Sequence, residues 1–334
     1  MSRDARTQAD AAAGTVLVTG ATGFVGRALV DEALARGHAV RAAVRRPCTD
    51  LPPAVRIHAP AAPEGMPDWS AALDGVDVVV QLGARVHVMQ ESHGDPLGEF
   101  RRVNVDATTV LAEAAARAGV RRLVFASSVK VLGEATEPGR PFDDHSAPAP
   151  LDPYGRSKLE AEARLLELAA TGRLEVCVLR PPLVYGPGVK GNLGRLLRWV
   201  ESGVPLPLGA VDNRRSLVGL DNLVDALLAV ASHPGARNRR FLVADGDDLS
   251  TPELARRIGR AIGRPARLVR VPPALLEAGS RLGGGASLRR LLEWLQVDAT
   301  GLREAVGWRP VRTVDEGLAG LAAGGRDTRR PPSR

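Results

Sequence analysis

Cysteine, aromatic residues and long apolar runs are all scarce in this sequence. The 334 residues contain two cysteines, Cys48 and Cys177, which excludes a disulfide framework and a cysteine-based metal motif. Aromatic residues make up 3% of the chain, so the core must be built from Val, Leu and Ala. No apolar run approaches the roughly 20 residues of a membrane span, and the polar N-terminus does not resemble a signal peptide. We expect a soluble, cytoplasmic protein with no metal site and no membrane contact.

A basic surface of the kind that binds nucleic acid is also missing. The formal net charge is +7, but the last nine residues alone hold four arginines and one aspartate. Elsewhere basic residues are interleaved with acids, and no basic cluster is mixed with aromatic residues. We therefore predict no nucleic-acid partner, an anionic small substrate, and disordered tails over 1–13 and 321–334.

Short apolar strands alternate with amphipathic helices through much of the chain. The predicted strands are Thr15–Thr19, Ala39–Val44, Val55–Ala59, Asp77–Leu82, Arg122–Ser127, Val176–Leu179 and Phe241–Ala244. The predicted helices are Phe24–Arg36, Val103–Ala118, Tyr154–Ala170, Leu193–Glu201, Asp221–Ala231 and one that opens at Thr251. This alternation predicts an α/β fold with a Rossmann-like, doubly wound parallel sheet.

The pattern changes after residue 184, where a Gly-Pro-Gly break is followed by short helices and Pro-rich stretches. We therefore assign 14–184 to a sheet domain, with 217–245 returning to it. The segments 185–216 and 246–320 form a smaller, mostly helical lobe that we expect to bind the substrate. Ligands of such sheets bind at the carboxyl ends of the strands, which is where this lobe would close.

Three glycines follow the first strand at intervals of three residues, in the segment TVLVTGATGFVG. Gly20 permits a tight turn, Gly23 lets the backbone approach a pyrophosphate, and Gly26 lets the helix pack close to the strand. Phosphates would then lie at the N-terminus of the helix that opens with Phe24 and Val25. The spacing matches the G-x-G-x-x-G fingerprint only in part, so an ordinary glycine-rich turn is the alternative.

The end of the second strand bears on which dinucleotide is bound. NAD sites usually place an acid there for the ribose 2′-hydroxyl, whereas NADP sites place arginine there. This strand ends in Arg45 and Arg46, whose guanidinium groups suit a 2′-phosphate in charge and geometry. The turn favours NADP(H), with NAD(H) as the alternative and a solvated arginine-rich loop as a third interpretation.

Tyr154 and Lys158 lie four residues apart near the start of a helix, and therefore on one face. A phenol has an ordinary pKa near 10, and a neighbouring ammonium is expected to lower it into a catalytic range. Ser127 and Ser128 end the preceding strand, where a hydroxyl can bind a substrate oxygen or simply form a turn. We predict a catalytic role for Ser128, Tyr154 and Lys158.

These motifs together resemble the extended short-chain dehydrogenases/reductases of the NAD-dependent epimerase/dehydratase family, which act on nucleotide sugars. Within that family the chain looks closest to bacterial 4-keto reductases and 4-epimerases of UDP-N-acetylhexosamines, which serve surface polysaccharide synthesis. The resemblance spans roughly residues 14–320. The matching segments are 15–26 (TVLVTGATGFVG), 125–133 (FASSVKVLG), 152–158 (DPYGRSK), 179–188 (LRPPLVYGPG), 213–224 (NRRSLVGLDNLV) and 304–310 (EAVGWRP).

The resemblance implies roles for individual residues. Tyr154 would transfer the proton, Ser128 would bind the reacting oxygen, and Lys158 would bind the nicotinamide ribose and tune Tyr154. Asn104 would support that lysine through a water, while Lys130 and His87 would flank the sugar without an assigned role. Further cofactor contacts implied are Gly20, Gly23, Phe24, Val25, Gly26, Leu82, Gly83, Ala84 and Pro181, and further substrate contacts are Asn192 and Arg215.

Three positions depart from the family pattern. Leu132 replaces the usual aromatic residue after the catalytic serine, and no acid follows the second strand. The aspartate expected after the third strand is replaced by the run His58-Ala59-Pro60. The last two departures put the usual NAD mode of adenosine binding in question, but not the fold.

The preferred function is reduction of the C4 ketone of a UDP-4-keto-6-deoxy-N-acetylhexosamine by NADPH. The first alternative is a UDP-sugar 4-epimerase that holds NAD tightly, and the second is a non-catalytic dinucleotide sensor or scaffold. The resemblance also implies a homodimer packed through the helices Val103–Ala118 and Tyr154–Ala170.

Overall fold

The computed structural model describes residues 14–46, 48–59, 67–86, 95–279 and 285–327. The expected tail over 1–13, Pro60, His87 and the last seven residues, 328–334, lie outside the described residues. Within the described ranges no helix is both long and apolar enough to cross a membrane.

Seven of the described strands form one sheet in which all neighbours are parallel. The strands of the chain are β1 (Thr15–Thr19), β2 (Ala39–Ala43), β3 (Arg56–His58), β4 (Val78–Gln81), β5 (Arg122–Ala126), β6 (Glu175–Arg180), β7 (Leu183–Tyr185), β8 (Leu217–Gly219) and β9 (Arg239–Leu242). The sheet order is β3-β2-β1-β4-β5-β6-β9, so the strand order reverses between β1 and β4. This confirms the predicted Rossmann-like, doubly wound sheet.

The helices cover both faces of this sheet and build the second lobe. They are α1 (Phe24–Ala35), α2 (Ser70–Leu73), α3 (Pro96–Arg101), α4 (Ala107–Arg117), α5 (Pro153–Ala170), α6 (Gly191–Ser202), α7 (Leu220–Ser232), α8 (Thr251–Ala261), α9 (Pro273–Gly279), α10 (Gly285–Leu292), α11 (Thr300–Val306) and α12 (Val314–Asp327). The last of these continues to Asp327, beyond the start of the predicted basic tail at residue 321.

Alternate residues of each central strand pack on opposite faces of the sheet. In β1, Val16 and Val18 belong to a core that includes side chains of α1 and α7. Leu17 faces the other way, into a core that includes side chains of α4 and α5. Because both faces are buried, the middle of each central strand is apolar at consecutive positions, which explains the unbroken valine run in β4.

The predicted helix Val103–Ala118 differs from the observed structure at its start. A π-helical segment, Arg102–Asp106, connects α3 to α4, and α3 itself was not predicted. A π-helical turn shifts side chains relative to a regular α-helix, and such turns often occur at functional sites. Here the turn carries Asn104 into the interior, where its side chain is fully buried.

The second lobe has a core of its own, built from α6, α8, α12 and the small parallel pair β7–β8. Its helix α8 begins at Thr251 as predicted, and Ser250 caps it by accepting a hydrogen bond from the Glu253 N–H at 3.2 Å. Tyr185 of β7 donates a 2.6 Å hydrogen bond to Asp245, which follows β9. The lobe is thereby attached to the carboxyl edge of the main sheet.

Candidate functional site

The glycine turn after β1 brings the backbone close to the neighbouring strand end. Gly20 has φ +66°, and a Cβ there would lie 2.9 Å from the N atom of Gly83. A Cβ at Gly26 would collide with the carbonyl oxygen of Gly20. Both glycines are therefore required by close backbone approach, as the sequence predicted.

The helix that follows this turn presents free N–H groups toward the sheet edge. α1 starts at Phe24, and its N-cap, Gly23, has no side chain that could accept a hydrogen bond. The first-turn N–H groups, together with the positive end of the helix dipole, suit an anion such as a pyrophosphate. Val25 belongs to the same turn. The residues present at this turn thus fit the diphosphate of a dinucleotide.

A hydrogen-bond chain fixes the loop after β4 beside the glycine turn. The Gly83 N–H donates to Thr19 Oγ1 at 3.0 Å, and the Thr19 hydroxyl donates to Gln81 Oε1. The Gln81 amide then donates to Thr108 Oγ1 at 2.9 Å and to the Gly83 carbonyl at 3.1 Å. The predicted cofactor residues Leu82 and Ala84 flank Gly83. Sequence reasoning missed Thr19 and Thr108, because their role depends on contacts between distant segments.

The end of β2 matches its prediction in position but is open to solvent. Arg45 and Arg46 are exposed, and within the described part of the chain neither forms an ion pair. The Val44 N–H donates to the His58 carbonyl at 2.9 Å, so the ends of β2 and β3 lie side by side. The two guanidinium groups are available to an anion at this corner of the sheet.

Ser128 and Tyr154 come together at the carboxyl edge. Ser128 follows β5 and Tyr154 lies in the first turn of α5, yet the Ser128 hydroxyl is close enough to the phenol to lower its pKa. The rings of Tyr154 and Phe100 from α3 pack edge to face, with the ring centroids 6.2 Å apart. Pro181 contributes indirectly, because its carbonyl accepts a 3.0 Å hydrogen bond from the N–H of Val129 beside Ser128.

The pKa of Tyr154 contradicts the expectation from the sequence. Burial raises the pKa of the phenol above its usual value, and the nearby carboxylate of Asp152 raises it further. The neighbouring Ser128 hydroxyl lowers the pKa but does not offset burial. The predicted lowering by Lys158 is therefore wrong for the chain by itself, since burial dominates.

Lys158 is buried beneath this pair and makes a directed hydrogen bond. Its Nζ donates to the Ala126 carbonyl at 2.7 Å and lies 4.2 Å from the centroid of the Phe125 ring. Burial lowers the pKa of the amine to about 7, although the Glu162 carboxylate acts in the opposite direction. The pKa of Lys158 thus lies in the neutral range, and shifts of this size are typical of functional sites.

Asn104 ties the loop after β4 to the catalytic helix. Its Oδ1 accepts from the Arg85 N–H at 2.8 Å, and its Nδ2 donates to the Arg85 carbonyl at 3.1 Å. The same Nδ2 donates to Ser157 Oγ at 3.0 Å, and Ser157 in turn donates to the Tyr154 carbonyl at 2.8 Å. The residue therefore supports α5 between Tyr154 and Lys158 through Ser157.

Lys130, whose role the sequence left open, is engaged in ion pairs. Its Nζ contacts Glu134 at 3.0 Å and also contacts Asp152. Asp152 is the N-cap of α5 and accepts a hydrogen bond from the Gly155 N–H at 2.6 Å. Lys130 therefore lies against the start of the catalytic helix.

Arg215 lies in the second lobe, where it holds the end of α10. Its Nη1 donates to the Arg290 carbonyl at 2.7 Å and to the Glu293 carbonyl at 3.0 Å. Burial lowers the pKa of this guanidinium to about 10, and the neighbouring Arg290 charge adds to the shift. Asn213 donates to carbonyls of the same turn, those of Leu291 and Glu293. The sequence did not reveal Asn213 or Arg290 as members of this cluster.

The predicted substrate residue Asn192 is the second residue of α6, in the same lobe. The described hydrogen bonds connect neither Asn192 nor Arg215 directly to the catalytic group of Ser128, Tyr154 and Lys158. The two sets of residues come from different lobes, as expected for a site that holds opposite ends of an extended substrate.

Known proteins share sequence and fold with this chain. Residues 16–244 match the NAD dependent epimerase/dehydratase family. The chain is 40% identical to a UDP-glucose 4-epimerase of Vibrio cholerae, over 91% of this chain and 93% of that protein. It is 32% identical to a 3-diazoavenalumate denitrifying reductase of a Streptomyces species, over 88% of this chain and 95% of that protein. The structure of MoeE5 in complex with UDP-glucuronic acid and NAD superposes with a TM-score of 0.75 and 29% identity, covering 94% of this chain and 100% of that one.

Proposed function

The chain belongs to the NAD-dependent epimerase/dehydratase family, and we propose that it is a 4-epimerase of UDP-sugars. The family match confirms the resemblance drawn from the motifs and makes this chain an NAD-dependent enzyme. The second alternative from the sequence, a non-catalytic dinucleotide sensor or scaffold, is therefore not retained. The observation that carries the proposal is that Ser128 lies beside Tyr154, at the same sheet edge as the glycine turn.

The preference for epimerisation over reduction comes from the relatives. The Vibrio cholerae protein that shares 40% of its residues with this chain is named a UDP-glucose 4-epimerase. MoeE5 was solved with UDP-glucuronic acid and NAD, so a related site accepts a UDP-sugar beside NAD. These findings favour the first alternative from the sequence over the preferred reductase.

The glycine turn would hold the cofactor. The first-turn N–H groups of α1, at Phe24 and Val25, would bind the diphosphate, and the close backbone approach at Gly20 and Gly26 keeps the turn in its tight form. Gly83 and its neighbours would line the ribose and nicotinamide side of the site. When bound, NAD supplies the acceptor and then the donor of the hydrogen carried by C4 of the sugar.

Tyr154 would then act as the base and the acid of the reaction. It takes the proton of the C4 hydroxyl when the C4–H bond breaks and returns a proton to the C4 oxygen when that bond forms on the opposite face. Ser128 donates a hydrogen bond to the same oxygen and holds it near the phenol. In the bound state a Lys158 ammonium would stabilise the Tyr154 phenolate, against the increase in pKa that burial causes.

Arg215 and Asn192 would hold the diphosphate of the substrate in the second lobe. An anchor that does not touch the reacting carbon lets the keto-sugar rotate and present its opposite face without leaving the site. A guanidinium is suited to this task because it forms forked hydrogen bonds with phosphate oxygens. The substrate so bound is a UDP-hexose or UDP-N-acetylhexosamine, and the product would serve surface polysaccharide synthesis.

Reduction of a UDP-4-keto-6-deoxy-N-acetylhexosamine stays as the second candidate because of one observation. Arg45 and Arg46 are exposed at the end of β2, where a 2′-phosphate of NADP(H) would lie. A reductase must exchange its cofactor at each turnover, whereas an epimerase keeps it. The Streptomyces relative is named a 3-diazoavenalumate denitrifying reductase, so one protein similar to this chain is named for a reduction.

A second copy of the chain is proposed to pack on α4 and α5. Between these helices lies a surface groove of about 750 Å³, lined by both charged and small apolar side chains. Its edge carries opposite charges, including Arg101 paired with Glu160 at 2.7 Å, so the surface can complement itself across a two-fold axis. Light scattering should give twice the chain mass, and a monomer at micromolar concentration would reject this assembly.

The test of the proposed function starts from cofactor content. Protein purified without added cofactor should release about one NAD(H) per chain on denaturation, because an epimerase that binds NAD tightly retains it during purification. Supplied with UDP-glucose or UDP-N-acetylglucosamine, it should form the C4 epimer with no net change in absorbance at 340 nm, roughly the wavelength where reduced nicotinamide absorbs. An empty protein that consumes NADPH with a 4-keto-6-deoxy UDP-sugar would establish the reductase instead.

A further inference from the structure

A buried carboxylate lies one helical turn beyond Lys158. Glu162 and Arg180 are 1% and 2% exposed, and they form two hydrogen bonds of 3.0 and 2.5 Å. Ser127, the serine of the Ser127-Ser128 pair that catalysis does not use, donates to Glu162 Oε1 at 2.5 Å. Three hydrogen bonds, donated by residues at the ends of β5 and β6, therefore fix the Glu162 carboxylate in place on α5.

This carboxylate acts on the catalytic lysine. Residues four apart on a helix lie on one face, so Glu162 and Lys158 are neighbours along α5. Lys158 donates to the carbonyl of Ala126, the residue that precedes Ser127, so both groups are held at the end of β5. Glu162 opposes the loss of the Lys158 proton that burial promotes.

The other charged groups around Lys158 have their own partners. From β6, Arg180 is paired with Glu162 itself, and from the N-terminus of α5, Asp152 is paired with Lys130. The helix also carries the neutral phenol of Tyr154, and β5 presents the face of Phe125, which favours a cation. Among the described carboxylates, Glu162 is the one that affects the charge of Lys158.

We propose that Glu162 is a positioning residue that keeps Lys158 in its ammonium form, with Arg180 and Ser127 holding the carboxylate in place. The proposal rests on the proposed function for the role of Lys158 and extends it to a residue group outside the substrate site. A buried ion pair contributes little net stability, because desolvation of both charges offsets their attraction. Its effect on a neighbouring ammonium is larger, since an opposite charge nearby shifts a pKa by about 1 to 3 units.

The chain offers a direct way to measure this effect. It contains three lysines, Lys130, Lys158 and Lys190, so labelling with lysine enriched in ¹³C at the ε-carbon gives three NMR signals. In the variant with Lys130→Arg and Lys190→Arg, Lys158 is the one lysine left, so the remaining signal belongs to it. The ring of Phe125 should shift this signal upfield. In the wild type, this signal should titrate at a pH of about 7.

Glu162→Gln should lower the pH at which Lys158 titrates by about 1 to 2 units. This variant leaves Arg180 buried without its carboxylate, so it can fail to fold. The double variant Glu162→Gln/Arg180→Met removes both charges and should show a decrease of the same sign. Unchanged titration of Lys158 in the folded variants would overturn the proposal.

A matched control lies at the opposite end of the same two strands. Arg122 of β5 is buried and pairs with Glu175 of β6 at 2.6 Å, far from the catalytic edge. Glu175→Gln breaks a similar ion pair and should leave the titration of Lys158 unchanged. Because this titration requires no substrate or turnover, its outcome is independent of whether the enzyme proves to be an epimerase. In an active enzyme the alkaline limb of the kcat/KM profile should also move to lower pH in Glu162→Gln but not in Glu175→Gln.

Discussion

The side chains of Ser128 and Tyr154 come together at the carboxyl edge of the sheet, although the two residues are 26 positions apart in the chain. Ser128 leaves the carboxyl end of β5, and Tyr154 opens α5 beneath the same edge. Both hydroxyls can therefore contact one substrate oxygen, which is the arrangement that proton transfer at a secondary alcohol requires. Lys158, one turn along α5, adds a positive charge to this pair.

Replacing Tyr154 with Phe should remove the proton-transfer group without removing the packing. The ring still fits against Phe100, so the melting temperature should change by less than about 3 °C. The kcat should fall by about 10²- to 10⁴-fold, which is the usual contribution of a general acid–base group. Cofactor content measured after denaturation should equal that of the wild type. A variant that keeps more than a tenth of wild-type turnover would exclude Tyr154 as the acid–base residue.

The folding stability should report the charge of Lys158. Its pKa is 10.5 in the unfolded chain and about 7 in the fold, so between these values the unfolded state binds a proton that the folded state does not. The free energy of unfolding of the wild type should therefore rise with pH from about 7 to 10, by up to about 1.4 kcal/mol per unit. Lys158→Met should lack this increase. Parallel pH dependence of the two proteins in urea unfolding would show that Lys158 has an ordinary pKa.

Gly26→Ala should abolish cofactor binding, because the added Cβ collides with the Gly20 carbonyl and displaces the turn that faces the diphosphate. The control is Gly37→Asn at the other end of the same helix. Gly37 has φ +82° and open space around its Cβ position, and asparagine tolerates that conformation. We expect the NAD content of purified Gly26→Ala to fall below a tenth of wild type and that of Gly37→Asn to match it. Equal NAD content in both variants would contradict the assignment of this glycine turn as the diphosphate-binding site.

The double variant Arg45→Ala/Arg46→Ala separates the two cofactor assignments. Both side chains are exposed, so their loss should leave the melting temperature within about 2 °C of wild type. If the enzyme holds NAD, as proposed, the Kd for NAD should change by less than about threefold, because no 2′-phosphate meets these groups. A loss of tenfold or more in affinity for NADPH, with NADPH bound better than NAD by the wild type, would favour the reductase.

The sheet and the glycine turn could be predicted from the sequence because local patterns determine them. Strands buried on both faces have apolar residues at consecutive positions, so β1 was predicted with its exact bounds and β4 to within one residue at either end. The glycines were recognisable because close backbone approach tolerates no other residue. Tyr154 and Lys158 followed from their spacing on a helix.

Other parts of the site depend on contacts that no local pattern encodes. The π-helical segment around Asn104 was read as a regular helix, since its sequence has ordinary helical periodicity. The partners of Arg215 lie 75 and 78 residues away, and the pair Glu162–Arg180 joins a helix to a strand. The sign of the Tyr154 pKa shift was also missed, because burial can be seen only in the folded chain.

The most direct test of epimerisation follows the hydrogen at C4. UDP-glucose carrying deuterium at C4 should be converted to the epimer with the deuterium retained, in the absence of added cofactor, because the same hydrogen leaves and returns within one site. Mass spectrometry of the isolated product reads this outcome. Full retention of deuterium in the C4 epimer is the predicted result. No conversion of UDP-glucose or UDP-N-acetylglucosamine, together with stoichiometric oxidation of NADPH by a 4-keto-6-deoxy UDP-sugar, would contradict the account.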